Sequence, residues 1–182
     1  MSRLHRFRPD DLDGEQQRLY RSITEGPRAR GGHFDLVDEE GSLAGPFNAF
    51  LLSPPLGDAL QGLGAAVRYR TGLPDRLREM AVLVVAAHWD SEFERTAHEA
   101  VGRAVGLSEA ELGAIREGGL PPLEDPVERA GVRLTRALVH GDVDDATWSA
   151  CVPPLTERTV FELTTLVGYY ATLALQMRVF GD

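Results

Sequence analysis

LPDRLREMAVLVVAAHWDSEFERTAH (residues 73–98) contains the longest apolar run of the chain, MAVLVVAA (80–87), followed at once by a polar and aromatic junction. The run alone suits a buried strand, because it is short and rich in valine. Pro74 and Asp75 ahead of it are first-turn residues, and the segment 73–90 is longer than a typical strand, so the reading is a helix. Being apolar nearly all round, it is expected to be the central, buried helix. The junction HWDSEFERTAH (88–98) then reads as the end of that helix and the start of another. Asp90 or Ser91 suits the N-cap, and Ser91-x-x-Glu94 has the form of a capping box. On that plain reading Glu94 binds a backbone N–H and His98 is one more helix residue.

Working outward, the same start and stop signals recur along the chain. Leu12, Leu19, Tyr20 and Ile23 fall at helical spacing over 11–26, with Gly26 and Pro27 as the stop. Ser53, Pro54 and Gly72 bracket a second helix over 53–72. Residues 91–106 form a helix closed by Gly106, and Ser108 and Glu111 repeat the Ser-x-x-Glu opening. Asp125, Pro126 and Glu128 start the helix of 125–141, a short helix covers DDATWSAC, and Thr156 caps a long one within 155–181. Residues 27–45 make an irregular, Gly- and Pro-punctuated loop, of a length often functional or mobile. No period-2 stretch bounded by hairpin turns occurs. The expectation is an all-α bundle of about seven to nine helices forming one domain over 1–182.

Composition narrows the function classes. The formal net charge is −9, which sets long-range repulsion against any nucleic-acid partner. All cations are arginine and lysine is absent. One cysteine, Cys151, excludes an internal disulfide, a CxxC redox pair and a thiolate zinc cluster. The first twenty residues have no apolar h-region, and no run approaches a membrane span, so a cytoplasmic protein that neither crosses nor binds a membrane is expected.

Three observations raise the 79–98 region above plain capping. Glu94 and His98 are i and i+4, so on a helix they share a face. Glu79 lies in the most apolar segment, where an unpaired carboxylate is costly to bury. A short connection makes the two helices antiparallel neighbours, which brings Glu79 within reach of the Glu94/His98 face.

The spacing Glu79-x11-Ser91-x2-Glu94-x3-His98 resembles the carboxymuconolactone decarboxylase family of the AhpD-like superfamily, whose redox branch reads Glu-x11-Cys-x2-Cys-x3-His. The resemblance extends over residues 45–112 and again over 132–181. It implies an AhpD-like helical bundle, a homo-oligomer and a cofactor-free enzyme acting on a small-molecule substrate. Ser91 and Glu94 stand where the redox branch has its thiols, so disulfide-exchange peroxidase chemistry has nothing to run on. The branch implied is the acid–base one, a lyase of aromatic catabolism that decarboxylates a small unsaturated lactone or related carboxylic acid. Glu79, Glu94 and His98 are then the catalytic candidates. His98 is the proton donor or anion partner, Glu94 orients or exchanges protons with it, and Glu79 completes the relay.

Around them, His88, Ser91, Phe47 and Asn48 are candidate substrate contacts. For His88 a helix-end hydrogen bond is the stronger reading, and for Phe47 and Asn48 a packed turn. Arg68, Arg70, Arg76 and Arg78 could anchor a carboxylate, although arginines on such helices are mostly solvated. No metal is assigned. HEAVG (98–102) has Gly102 where a zincin has its second histidine, and no Glu-x-x-His pair accompanies the Glu79/Glu94/His98 set. Alternatives are a biosynthetic tailoring enzyme on the same scaffold, working as isomerase, cyclase or other lyase, and a non-catalytic oligomeric binding protein.

Overall fold

A computed structural model describes residues 3–26, 29 and 35–181. The chain divides into two compact units, one of residues 1–69 and 175–182, the other of residues 70–174. Every regular element among the described residues is helical apart from one isolated bridge, Val37 to Leu43.

In the first unit a short 3₁₀ turn, Pro9–Asp11, precedes α1 (Gly14–Thr24), α2 (Pro46–Phe50) and α3 (Pro54–Tyr69). Asp13 caps α1 in a reciprocal box with Gln16, so the helix starts three residues later than its apolar pattern suggests. Leu19 and Ile23 are its buried face. Gly57 of α3 sits so close to α2 that a Cβ there would lie 2.5 Å from the Phe50 carbonyl oxygen. Of the irregular stretch 27–45, residues 27, 28 and 30–34 lie outside the described residues. The rest turns on Asp38, which accepts from the Glu40 and Ser42 amides.

The second unit is built around α4 (Asp75–Trp89), with α5 (Glu92–Ala104), α6 (Glu109–Arg116) and α7 (Pro126–Val139) packed against it. Then come α8 (Asp145–Cys151) and α9 (Glu157–Phe180), which contributes its residues up to 174 here. Met80 through Ala86 are all buried, which is why the valine-rich run is a helix. β-branching costs a few tenths of a kcal/mol per residue in helix propensity. Burying a Val or Leu side chain returns about 1.5–3 kcal/mol, so packing decides. Gly131 lets α7 approach closely: a Cβ there would meet Leu77 Cδ1 at 2.5 Å.

The turn between α4 and α5 departs from the capping-box expectation. Asp90 closes α4 in the left-handed region at φ 52°, and the Ser91 amide donates back to the Ala86 carbonyl at 2.9 Å. Ser91 occupies the N-cap of α5, but its side chain makes no cap hydrogen bond. The Glu94 carboxylate is turned instead toward His98, 3.4 Å from Nε2. At Ser108 the same Ser-x-x-Glu pattern does form the full reciprocal box. Asp125 caps α7 through the Val127 and Glu128 amides, and Thr156 accepts from the Thr159 amide at the start of α9.

Candidate functional site

Glu79, Glu94 and His98 meet inside the second unit. Glu79 comes from the second turn of α4, while Glu94 and His98 stand one turn apart on α5, so the α4–α5 pairing assembles the group. All three are buried, at 1%, 4% and 4% exposure. His98 Nδ1 lies 2.7 Å from Glu79 Oε2, a tight hydrogen bond. On the other ring nitrogen, Nε2 faces Glu94 Oε2 at the looser 3.4 Å. One imidazole is therefore gripped hard on one edge and lightly on the other.

Two further groups complete the cluster. Arg78 Nε reaches Glu79 Oε1 at 3.2 Å, and the same guanidinium pairs with Asp75 at 2.8 Å. The Tyr170 ring of α9 meets the His98 ring edge-on at 5.2 Å and packs edge-on with Tyr169 at 5.2 Å. Burial by itself would push the His98 pKa down. The hydrogen bonds and charges of Glu79 and Glu94 outweigh it, and His98 titrates above the ordinary histidine value. An imidazole held between two acids, one of them shared with a guanidinium, has its protonated form favoured and is chemically able to exchange protons in a low-dielectric setting.

The donor geometry speaks against a shared cation. The two carboxylates address opposite nitrogens of the same ring, so their oxygens do not converge with a free nitrogen on one point. Among the described residues no group of three or more His, Cys, Asp or Glu side chains is arranged to hold a metal ion.

The other sequence candidates fall elsewhere. Ser91 is buried at the N-cap of α5, on the helix face that continues to Glu94 and His98. His88 follows Glu79 by two and a half helical turns, so it leaves α4 on the opposite side. There it meets Trp89 and His140 edge-on, at 5.8 and 4.8 Å. Burial first, and then His140, hold its pKa below the ordinary value. It lines a cleft that contains none of Glu79, Glu94 and His98.

Phe47 and Asn48 belong to the first unit and are buried there. The Asn48 side chain donates to the His5 carbonyl at 2.8 Å and accepts from the Phe7 amide at 3.1 Å, which ties down the N-terminal segment. Of the four arginines, Arg76 is spent on Glu111, Glu128 and the Gly106 carbonyl, and Arg68 lies over the Tyr69 ring.

Sequence reasoning missed the parts Arg78 and Tyr170 play. Arg78 looked like one more solvated arginine, although its place beside a buried acid was a usable signal. Tyr170 lies far along the chain, and nothing local to it points to His98. Cys151, the only thiol, is buried in α8, and its pKa is pushed up by burial against the opposing charge of Arg133.

Residues 54–137 match the model of the Carboxymuconolactone decarboxylase family, a span that includes Glu79, Glu94 and His98. Among solved structures, the chain resembles that of the debrominase Bmp8 in complex with 2,3,4-tribromopyrrole. The two share 12% sequence identity with a TM-score of 0.74, over 100% of this chain and 92% of that one, a likeness of fold. A search of curated proteins finds no match.

Proposed function

From the match of residues 54–137 to the carboxymuconolactone decarboxylase family model, we propose that the protein is a cofactor-independent, acid–base lyase of that family. Its substrate is a small unsaturated lactone bearing a carboxylate, or a closely related acid. The observation that carries this reading is the buried His98 imidazole, bonded at 2.7 Å to Glu79 and lying 3.4 Å from Glu94.

Such a substrate supplies its own electron sink. The bond to the departing carboxylate breaks, its electron pair passes into the conjugated lactone as a dienolate, and CO₂ leaves. The dienolate carbon then needs one proton. His98 is the donor, because Glu79 and Glu94 raise its pKa above the ordinary histidine value and so favour the protonated ring. The proton departs from Nε2, where the grip is loose, while Glu79 pins Nδ1 and fixes the ring. The proton consumed in each cycle comes from water, and Glu94, beside Nε2, relays it to the ring. Arg78 offsets the charge of Glu79, so Glu79 orients the ring as a carboxylate. Thiol chemistry finds no support, since Cys151 is buried with a raised pKa.

The experiment follows loss of carboxymuconolactone absorbance with purified protein. His98→Gln is expected to lower kcat by at least 10²-fold, within the usual worth of general acid catalysis, about 10²–10⁴. Glu79→Gln should lower kcat less, with circular dichroism verifying that both variants fold. Full activity in both folded variants would overturn the reading. Failure of the wild type on every unsaturated lactone acid, with turnover of a different acid–base substrate, would move the assignment to a tailoring enzyme.

We also propose that the protein works as a homo-oligomer in the cytoplasm. No helix among the described residues is long and apolar enough to cross a membrane. Phe161 of α9 is 72% exposed, an apolar contact available to a second copy.

A further inference from the structure

On the side of α4 away from Glu79, a cleft of about 240 Å³ opens between α4, α6 and α7. Its wall is apolar, from Val84, Ala87, Ile115 and Val139, and its polar rim carries His88 and Arg136. The guanidinium of Arg136 is already fixed: Nη1 donates to the carbonyls of Gly118 and Gly119. No carboxylate pairs with it among the described residues, and its Nε and Nη2 hydrogens have no protein partner there. Nε and Nη2 are the two donors that grip a carboxylate side-on.

Arg116, also on the rim, is committed to Glu99 at 2.6 and 3.0 Å. Glu117 is the one acid lining the cleft, and it forms no ion pair with either arginine. A guanidinium held by two carbonyls, with its bidentate edge unused, next to an aliphatic wall and an imidazole, is a built half of a recognition site. The volume falls below the roughly 300–1,000 Å³ of drug-sized ligand pockets, so the occupant is small.

We propose that this cleft is a binding site for a small carboxylic acid with a short apolar body, its carboxylate on Arg136 and its hydrocarbon against Val84, Ile115 and Val139. The site is separate from the Glu79/His98 group and does not depend on the reaction assigned to it.

Trp89, whose ring meets His88 edge-on, is the reporter. In a Trp148→Phe background, chosen because Trp148 is half exposed, Trp89 emission is followed while cyclohexanecarboxylate is added. A saturable change is expected. The Kd should rise at least tenfold in Arg136→Gln and by less in Arg136→Lys, which keeps the charge and loses the fork. In Glu117→Gln, which removes the one opposing acid, it should fall. Cyclohexylmethanol and inorganic phosphate, each holding half of the required chemistry, should bind at least tenfold more weakly.

In proton NMR, the Cε1–H resonances of His88 and His140 should move with occupancy while that of His98 stays. Unchanged affinity in Arg136→Gln, equal binding of phosphate, or movement of His98 alone would each overturn the proposal. Since every readout is binding, these results are independent of any turnover measurement on the relay.

Discussion

His98 is enclosed by two acids that favour its protonated form, and this arrangement bears on its part in stability. Its folded-state pKa lies above the unfolded value, so the folded state binds the proton more tightly. The stabilisation is therefore fully present below the ordinary histidine pKa of about 6.5 and is lost as pH rises through the raised folded value. Thermal unfolding should show the wild-type advantage over His98→Gln shrinking as the buffer is taken from pH 6 upward past that value. An advantage that grows with pH would contradict a protonated His98.

Removing the ring also leaves Glu94 buried without a cation, whereas Glu79 keeps Arg78. Breaking a buried pair from one side costs about 3–5 kcal/mol. The second change Glu94→Gln should recover part of that loss, as urea denaturation of the double variant will report.

Elements tell where sequence and structure agree and why they part. Ser-x-x-Glu opens a helix at 91 and at 108, and only the second forms a capping box. The two openings differ in what competes for the glutamate: His98 stands four residues beyond Glu94, while Glu111 meets only Arg76 and its own cap. A local pattern is legible when its side chains have no better partner, and the helix boundaries at Asp125 and Thr156 were legible for that reason. Glu79 was legible through its misplacement, an acid in an apolar helix, and its reach to His98 followed from the short α4–α5 turn. Tyr170 was not, because its contact is made through tertiary packing alone.

The caps supply a direct comparison. Ser108→Ala should destabilise by about 1 kcal/mol, the usual worth of a side-chain cap. Ser91→Ala, with no cap bond to lose, should cost less than half as much in the same urea titration. At the α4–α7 crossing, Gly131→Ala drives a methyl into the fully buried Leu77. A loss of about 1–3 kcal/mol is expected from overpacking, and Leu77→Ala added to it should relieve the clash.

At the scale of the whole molecule, lysine is absent and arginine supplies the permanently charged basic side chains, many of whose guanidiniums are engaged within the chain rather than merely solvated. Arg76 joins α4 to α6 and α7, Arg116 joins α6 to α5, and Arg158 with the Gly72 amide holds the buried Glu162. Forked donors suit such two-sided clamps better than a lysine point charge does. The net charge of −9 keeps copies apart unless an apolar contact outweighs it. Light scattering is expected to give a mass at least twice the 19.9 kDa of the single chain. Phe161→Glu, placing a charge on an exposed ring of α9, should shift that mass toward the single chain.

Glu79 and His88 leave α4 half a turn out of step, one toward His98 and the other toward the α6–α7 side. The helix thus has a phase as well as a length. One residue inserted among the valines between them would rotate everything beyond it by about 100°, misaiming His88 and carrying the α5 residues Glu94 and His98 out of line with Glu79. The stretch first notable for being greasy also works as a spacer that keeps two faces in register, and its residue count matters as much as its hydrophobicity.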